Sequence, residues 1–140
     1  MSEKPVIRLA TASDVETIHR LLRHLADSTG LRQKFISRTE DFLRFGFCDE
    51  PKFEVLLAEQ DEVVVGLCLF FYNFSSWRGE LGVYIQDLVV DSDVRAAGVG
   101  RLLVRETARH AYEQGATHLR LSVDRDNHQA MRFYEKIGLR

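Results

Sequence analysis

The chain is short of several things, and each shortage narrows its chemistry. Only two of its 140 residues are cysteine, Cys48 and Cys68. Two widely spaced cysteines make no disulfide framework. Cys68 sits in an apolar run, where a thiol behaves as a small buried hydrophobe, and both are read as reduced. Basic residues are not in excess: 19 Lys and Arg stand against 21 Asp and Glu, for a net charge of -2. The pI is about 6.2, without the basic surplus typical of nucleic-acid binders, so no nucleic-acid partner is expected. No apolar run reaches the ~18 residues of a membrane span. The N-terminus is polar and charged, with no signal-peptide core. No membrane partner and a cytoplasmic location are therefore expected. The five histidines are scattered, and His19 and His24 lie five apart rather than the three or four that shares a helix face. No metal site is expected.

What is present is an ordinary globular composition, 45% hydrophobic and 29% charged. A domain of about 150 residues buries roughly 70% of its unfolded surface, so residues 1–140 are read as a single domain without linkers or repeats. Val6 to Leu9 opens as a strand. Ser13 and Glu16 have capping-box spacing, and Val15, Ile18, Leu21, Leu22 and Leu25 follow at helical intervals up to Gly30. A shorter helix is predicted over 39–47, with Thr39 as N-cap. Strands are predicted over 54–59 and 63–72 around a polar turn, and another over 81–90 after a turn holding the only tryptophan, Trp77. A helix over 99–114, stopped by Gly115, a strand over 117–123 and a last helix over 127–136 complete the order. A hairpin-rich first half and a βαβ unit in the second give an α/β class with a mixed, mostly antiparallel sheet flanked by helices.

The informative segment is Gln86-Asp87-Leu88-Val89-Val90-Asp91-Ser92-Asp93-Val94-Arg95-Ala96-Ala97-Gly98-Val99-Gly100-Arg101. A strand leads through a polar loop directly into a helix. The first N–H groups of a helix lack internal partners and carry partial positive charge, which suits an anion. Gly98 and Gly100 let a phosphate approach the backbone, and Arg95 and Arg101 add charge. A P-loop would need Lys followed by Ser or Thr after its second glycine, where Arg101 and Leu102 stand. A Rossmann loop would need a third glycine at Leu103. The plainer alternative is that the two glycines only begin a helix.

The R-x-x-G-x-G pattern of Arg95, Gly98 and Gly100, set between strand and helix, resembles the acetyl-CoA pyrophosphate motif of the GNAT N-acetyltransferases. The run Asn127-His128-Gln129-Ala130-Met131-Arg132-Phe133-Tyr134-Glu135-Lys136-Ile137-Gly138 is similar to that superfamily's second signature. Val6-Ile7-Arg8-Leu9-Ala10-Thr11-Ala12-Ser13-Asp14 and Phe70-Phe71-Tyr72-Asn73-Phe74-Ser75-Ser76-Trp77-Arg78-Gly79 resemble the spermidine/spermine (diamine) acetyltransferase branch. The resemblance implies a GNAT fold and acetyl-CoA as co-substrate. It implies direct attack of a small-molecule primary amine on the thioester: a polyamine, a thialysine-like compound or an amino acid. Tyr134 matches the tyrosine that protonates the departing thiolate, its alternative being an aromatic core position. Asn127 matches a coenzyme A contact, or else a helix cap. Backbone groups of Leu88, Val89 and Val90 would take the pantetheine arm, with the amide near Leu88 as oxyanion donor. Backbone N–H groups of Ala96, Ala97, Gly98, Val99, Gly100 and Arg101 would take the pyrophosphate.

The departures from that branch are informative. Its strand glutamate, which acts as base through water, is replaced by Gln86, an amide that holds a water but accepts no proton. Asp87 is adjacent, and neighbouring strand residues face opposite sides unless a bulge re-aims one. Glu80 and bulk water are further options for deprotonation. Ser28 and Thr29 occupy the positions of a polyamine-holding Tyr-Glu pair, beside Asp27, which weakens attraction for polycations. Asp27, Ser28, Thr29 and Trp77 are the candidate acceptor contacts. The chain stops at Arg140, where the superfamily usually adds one or two strands. The expected sheet lacks them, as a truncated chain would or one covered by a partner subunit. The branch's homodimers make a homodimer the expected assembly. An acyl-CoA-binding domain without turnover, and an enzyme acetylating other proteins, stay open as alternatives.

Overall fold

The computed structural model describes residues 4–91 and 98–122. The helix predicted over 127–136, with Asn127 and Tyr134, lies outside the described residues, as do Arg95, Ala96 and Ala97. Among the described residues five strands form one sheet in chain order: β1 (Val6–Leu9), β2 (Glu54–Gln60), β3 (Val63–Ser75), β4 (Glu80–Val90) and β5 (Ala116–Leu121). β1 to β4 are antiparallel to their neighbours, and β5 runs parallel to β4. Local chemistry sets these connections. Asp61 and Glu62 both adopt positive φ, 54° and 67°, the two-residue turn whose twist matches the flanking strands. β4 and β5, being parallel, need a crossover, which α3 (Val99–Glu113) supplies. Gly115, at φ 98°, ends it as expected.

Alternation along the strands divides the apolar residues between two faces. Leu56, Ala58, Cys68, Phe70, Val83 and Ile85 pack with Val99, Leu103 and Val104 of α3. On the other face Val55, Leu57, Leu67, Leu69 and Val89 pack with Ile18, Leu21 and Leu22. Those three belong to α1 (Val15–Ser28), whose apolar positions fall three and four apart. Fully buried side chains such as Ile18 and Leu57 each stabilise the fold by roughly 1.5–3 kcal/mol. Phe42 of α2 (Thr39–Gly46) packs against the same face, with Phe35, Phe47 and Phe53 from the segments beside it.

Several boundaries differ from the expectation, among them β5, which spans Ala116–Leu121 rather than 117–123, and three of the differences have a clear local cause. The capping box belongs to Thr11 and Asp14, not to Ser13 and Glu16: Asp14 Oδ2 accepts the Thr11 N–H at 2.8 Å. Arg8 decides between these overlapping boxes. Its guanidinium donates to both Asp14 oxygens at 2.9 Å and to Glu59 Oε1 at 2.8 Å. These bonds pull the Asp14 carboxyl down to about 2 and tie the entry of α1 to the sheet. At α2 the N-cap is Arg38, whose N–H donates to Asp41 Oδ2 at 2.8 Å, so Thr39 is already helical. β3 runs to Ser75 rather than to residue 72 because it keeps pairing with β4 as far as Ser75 opposite Glu80.

Candidate active site

The site is organised by one irregularity in β4. Leu69 lies opposite Asp87 but Phe70 lies opposite Ile85, so Gln86 is an extra residue in β4. This β-bulge reverses the facing of everything after it. Val83 and Ile85 pack under α3. Unbroken alternation would send Asp87 and Val89 to that same apolar side. Instead Val89 packs with Leu67 beneath α1, and Asp87 opens into a cleft on that face. The bulge thus keeps a carboxylate out of the core and delivers it to a surface where a ligand can reach it.

That cleft has a volume of about 720 Å³ and is walled by α1, α2 and the segment between them, with Gln86, Asp87 and Leu88 on its floor. Phe35, Phe42, Phe45 and Phe53 make much of the wall, with Phe42 edge-on to Phe53 at 5.9 Å between ring centroids. Burial pushes the Asp87 carboxyl above the usual carboxylate range, because desolvation penalises the charged form. Among the described residues its side chain has no hydrogen bond or ion pair. A half-buried carboxylate without a partner, facing a cavity of small-molecule size, is suited to accept a proton or hold a cation.

The same end of β4 offers two further features. Its pairing with β5 ends at Ile85 opposite Leu121, while β4 continues to Val90. From Gln86 onward, that edge has no strand neighbour among the described residues, so its backbone groups are available to an extended ligand. Beside it begins α3. Gly98 is its N-cap, in the left-handed region at φ 73°, and the first helical hydrogen bond runs from the Leu102 N–H to the Gly98 carbonyl at 3.1 Å. The N–H groups of Val99, Gly100 and Arg101 precede that bond, and no acidic residue stands in the first turn. An anion therefore meets unpaired donors and no competing charge. Gly66 permits the close seating of this turn: a Cβ there would meet the Val89 carbonyl oxygen at 2.9 Å and Val99 at 3.2 Å. A strand edge for an extended arm and a helix start for its phosphates fit coenzyme A.

A sequence profile of the acetyltransferase (GNAT) family matches residues 18–139. The chain belongs to that family. It is an N-acetyltransferase of the GNAT type, and the family's co-substrate is acetyl-CoA. Among its relatives is the thialysine N-epsilon-acetyltransferase of Bos taurus, 32% identical over 142 residues, which covers 95% of this chain and 82% of the relative. The spermidine/spermine N(1)-acetyltransferase-like protein 1 of Homo sapiens is 26% identical over 94% of this chain and 20% of the relative. The fold matches a crystal structure of an aminoglycoside acetyltransferase from an uncultured soil metagenomic sample in complex with sisomicin. The TM-score is 0.82 at 19% identity, over 96% of this chain and 87% of that one.

Within this GNAT domain the expected site residues separate into groups. Gln86, Asp87, Leu88 and Thr29 line the cleft, and Val89, Val90, Gly98, Val99, Gly100 and Arg101 sit on the strand and helix start just described. Ser28 and Thr29 use their hydroxyls on α1 itself, donating to the Leu25 carbonyl at 2.9 and 3.1 Å. Asp27 is half-exposed and pairs with Arg32 at 3.5 Å, and neither Asp27 nor Ser28 lines the cleft. Trp77 is 98% exposed in the turn between β3 and β4, also away from it. Glu80 accepts the Thr117 hydroxyl at 2.8 Å at the far end of β4. Lys34, Asp41 and the four phenylalanines also line the cleft, and no motif in the sequence marks them. Their signal was the density of phenylalanine between 35 and 53, which marks an apolar face without saying what it faces. No helix among the described residues is long and apolar enough to cross a membrane.

Both cysteines are free. Cys68 is fully buried, and burial pushes its thiol up to about 12. It packs on the α3 side of the sheet and does not line the cleft. Cys48 does not line the cleft.

Proposed function

We propose that this chain transfers the acetyl group of acetyl-CoA to a primary amine of a small molecule bound in the cleft above β4, by direct attack and without an acyl-enzyme. The observation that carries this reading is Asp87, turned by the bulge at Gln86 onto the cleft floor and left without a partner there. A free alkylamine has a pKa near ~10.4 and is protonated at neutral pH. Asp87 holds that ammonium and takes its proton as attack begins, and its raised proton affinity brings donor and acceptor closer together. Gln86, exposed beside it, orients a water or the amine by hydrogen bonds. The absence of a usable thiol in the cleft supports attack by the amine itself.

Acetyl-CoA, when bound, supplies the acyl group as an activated thioester. The chain holds it with its backbone. Leu88, Val89 and Val90 pair with the pantetheine arm, and the amide near Leu88 donates to the carbonyl oxygen as negative charge develops there. The N–H groups from Ala96 to Arg101, with Arg95 and Arg101, hold the pyrophosphate. Asn127 contacts the coenzyme, and the Tyr134 hydroxyl returns a proton to the leaving sulfur. The acceptor classes in view are thialysine-like compounds, amino acids and polyamines, in line with the names of the relatives.

The reading is tested by mass spectrometry of the acceptor. One acetyl group should appear on the small amine and none on lysines of bystander proteins. Protein acetylation in preference to small amines would overturn it. Tyr134→Phe should lower kcat by about 10²-fold, at the low end for a positioned acid, while acetyl-CoA affinity stays nearly unchanged. An unaltered kcat would remove Tyr134 from the proton-donor role.

A further inference from the structure

The cleft holds two charges of opposite sign that the described residues leave unanswered. Asp87 lies on its floor. Lys34 lies on its wall, at the end of the short 3-10 turn that follows α1, with its side chain exposed. No ion pair or hydrogen bond of the Lys34 side chain occurs among the described residues. The cleft's other carboxylate, Asp41, is exposed at the start of α2, where its Oδ2 accepts the Arg38 N–H. The rest of the lining is mostly leucine and phenylalanine, which suits methylenes or a thioether. We infer that the acceptor carries a carboxylate as well as the reacting amine, and that Lys34 is the residue that selects for it.

This rests on the small-molecule acceptor reading and narrows it. An α-amino acid with an amine at the end of its side chain meets both charges at once, ammonium toward Asp87 and carboxylate toward Lys34. A diamine of the same length presents a cation to Lys34 instead, and like charges in a half-enclosed cleft repel. Lys34 therefore acts twice, attracting one class and disfavouring the other.

The test uses pairs that differ only by the carboxylate: L-lysine against cadaverine and L-ornithine against putrescine, with the full chain and saturating acetyl-CoA. The wild type should favour the amino acid of each pair in kcat/KM by about tenfold, the scale of one exposed charge-assisted hydrogen bond. In Lys34→Met the KM for the amino acid should rise by about that factor while the KM for the diamine falls, and Lys34→Arg should restore the preference. A merely structural lysine would move both members of a pair in the same direction. A wild-type preference for diamines, or parallel losses in Lys34→Met, overturns the inference while leaving the acetyltransferase reading intact. Failure of every amine would sink both.

Discussion

Asp87→Asn should lower kcat at neutral pH by about 10² to 10⁴-fold, the range for removal of a positioned general base, and should leave the protein at least as stable as the wild type. The two halves of that expectation have one cause. Burial raises the Asp87 carboxyl above its ordinary range. For an acid with a folded-state pKa above its unfolded value, the charged form weakens the fold at every pH above both. That penalty is relieved as pH falls through the raised folded value. Asparagine carries no charge to desolvate and lifts the penalty at neutral pH. Stability and activity are thus expected to move in opposite directions, as at sites kept for function. Rate measurements and thermal melts on the same preparations check both. The wild-type rate should also fall on the acid side as Asp87 takes up a proton, and Asp87→Asn should lack that limb. If Asp87→Asn retains the wild-type rate, deprotonation belongs to water held by Gln86 or to bulk solvent.

Gly98→Glu should abolish useful binding of acetyl-CoA, with an affinity loss of about 10²-fold, the order of two to three kcal/mol for charge-assisted hydrogen bonds. Gly98 is in the left-handed region at φ 73°, where an L-residue is strained by roughly 1–2 kcal/mol. Nothing among the described residues lies within 4 Å of the position its Cβ would take, so the first atom of the new side chain has room. A carboxylate at a helix start is favourable to the helix itself, which offsets part of the strain. The variant should therefore fold while its own carboxylate occupies the anion position and repels the pyrophosphate. Gly98→Asn is the control, since asparagine tolerates this conformation and brings no charge. It should keep acetyl-CoA affinity within a few-fold. Calorimetric titration with acetyl-CoA separates the two. Normal affinity in Gly98→Glu would remove the start of α3 from the cofactor site.

The parts legible in the sequence are those fixed by local chemistry. α1 was visible in the spacing of Val15, Ile18, Leu21 and Leu22, and α3 in the glycines that bracket it, Gly98 and Gly115. The anion-binding character of the α3 start follows from a strand, a polar loop and two glycines in a row. Gly66 is different: its need for hydrogen in place of a side chain comes from α3 crossing over it, some 30 positions later. The bulge is also a product of pairing. Val83, Ile85, Asp87 and Val89 read as one face of a strand, and only the register against Leu69 and Phe70 sends Asp87 the other way. Cleft walls are hidden for the same reason. In the sequence Phe35, Phe42, Phe45 and Phe53 are only a stretch dense in phenylalanine, and α1, α2 and β4 must be assembled before Lys34 and Asp87 share one cavity. The choice between the overlapping capping boxes needed Arg8, which belongs to another element.

The most direct test of the account is thiol release from acetyl-CoA by the purified chain, across a panel of thialysine, lysine, ornithine and polyamines. Release should depend on the added amine, saturate with it and fall in Asp87→Asn by the factor given above. Release at the same rate without any amine, or none with every amine while acetyl-CoA binds normally, would contradict it.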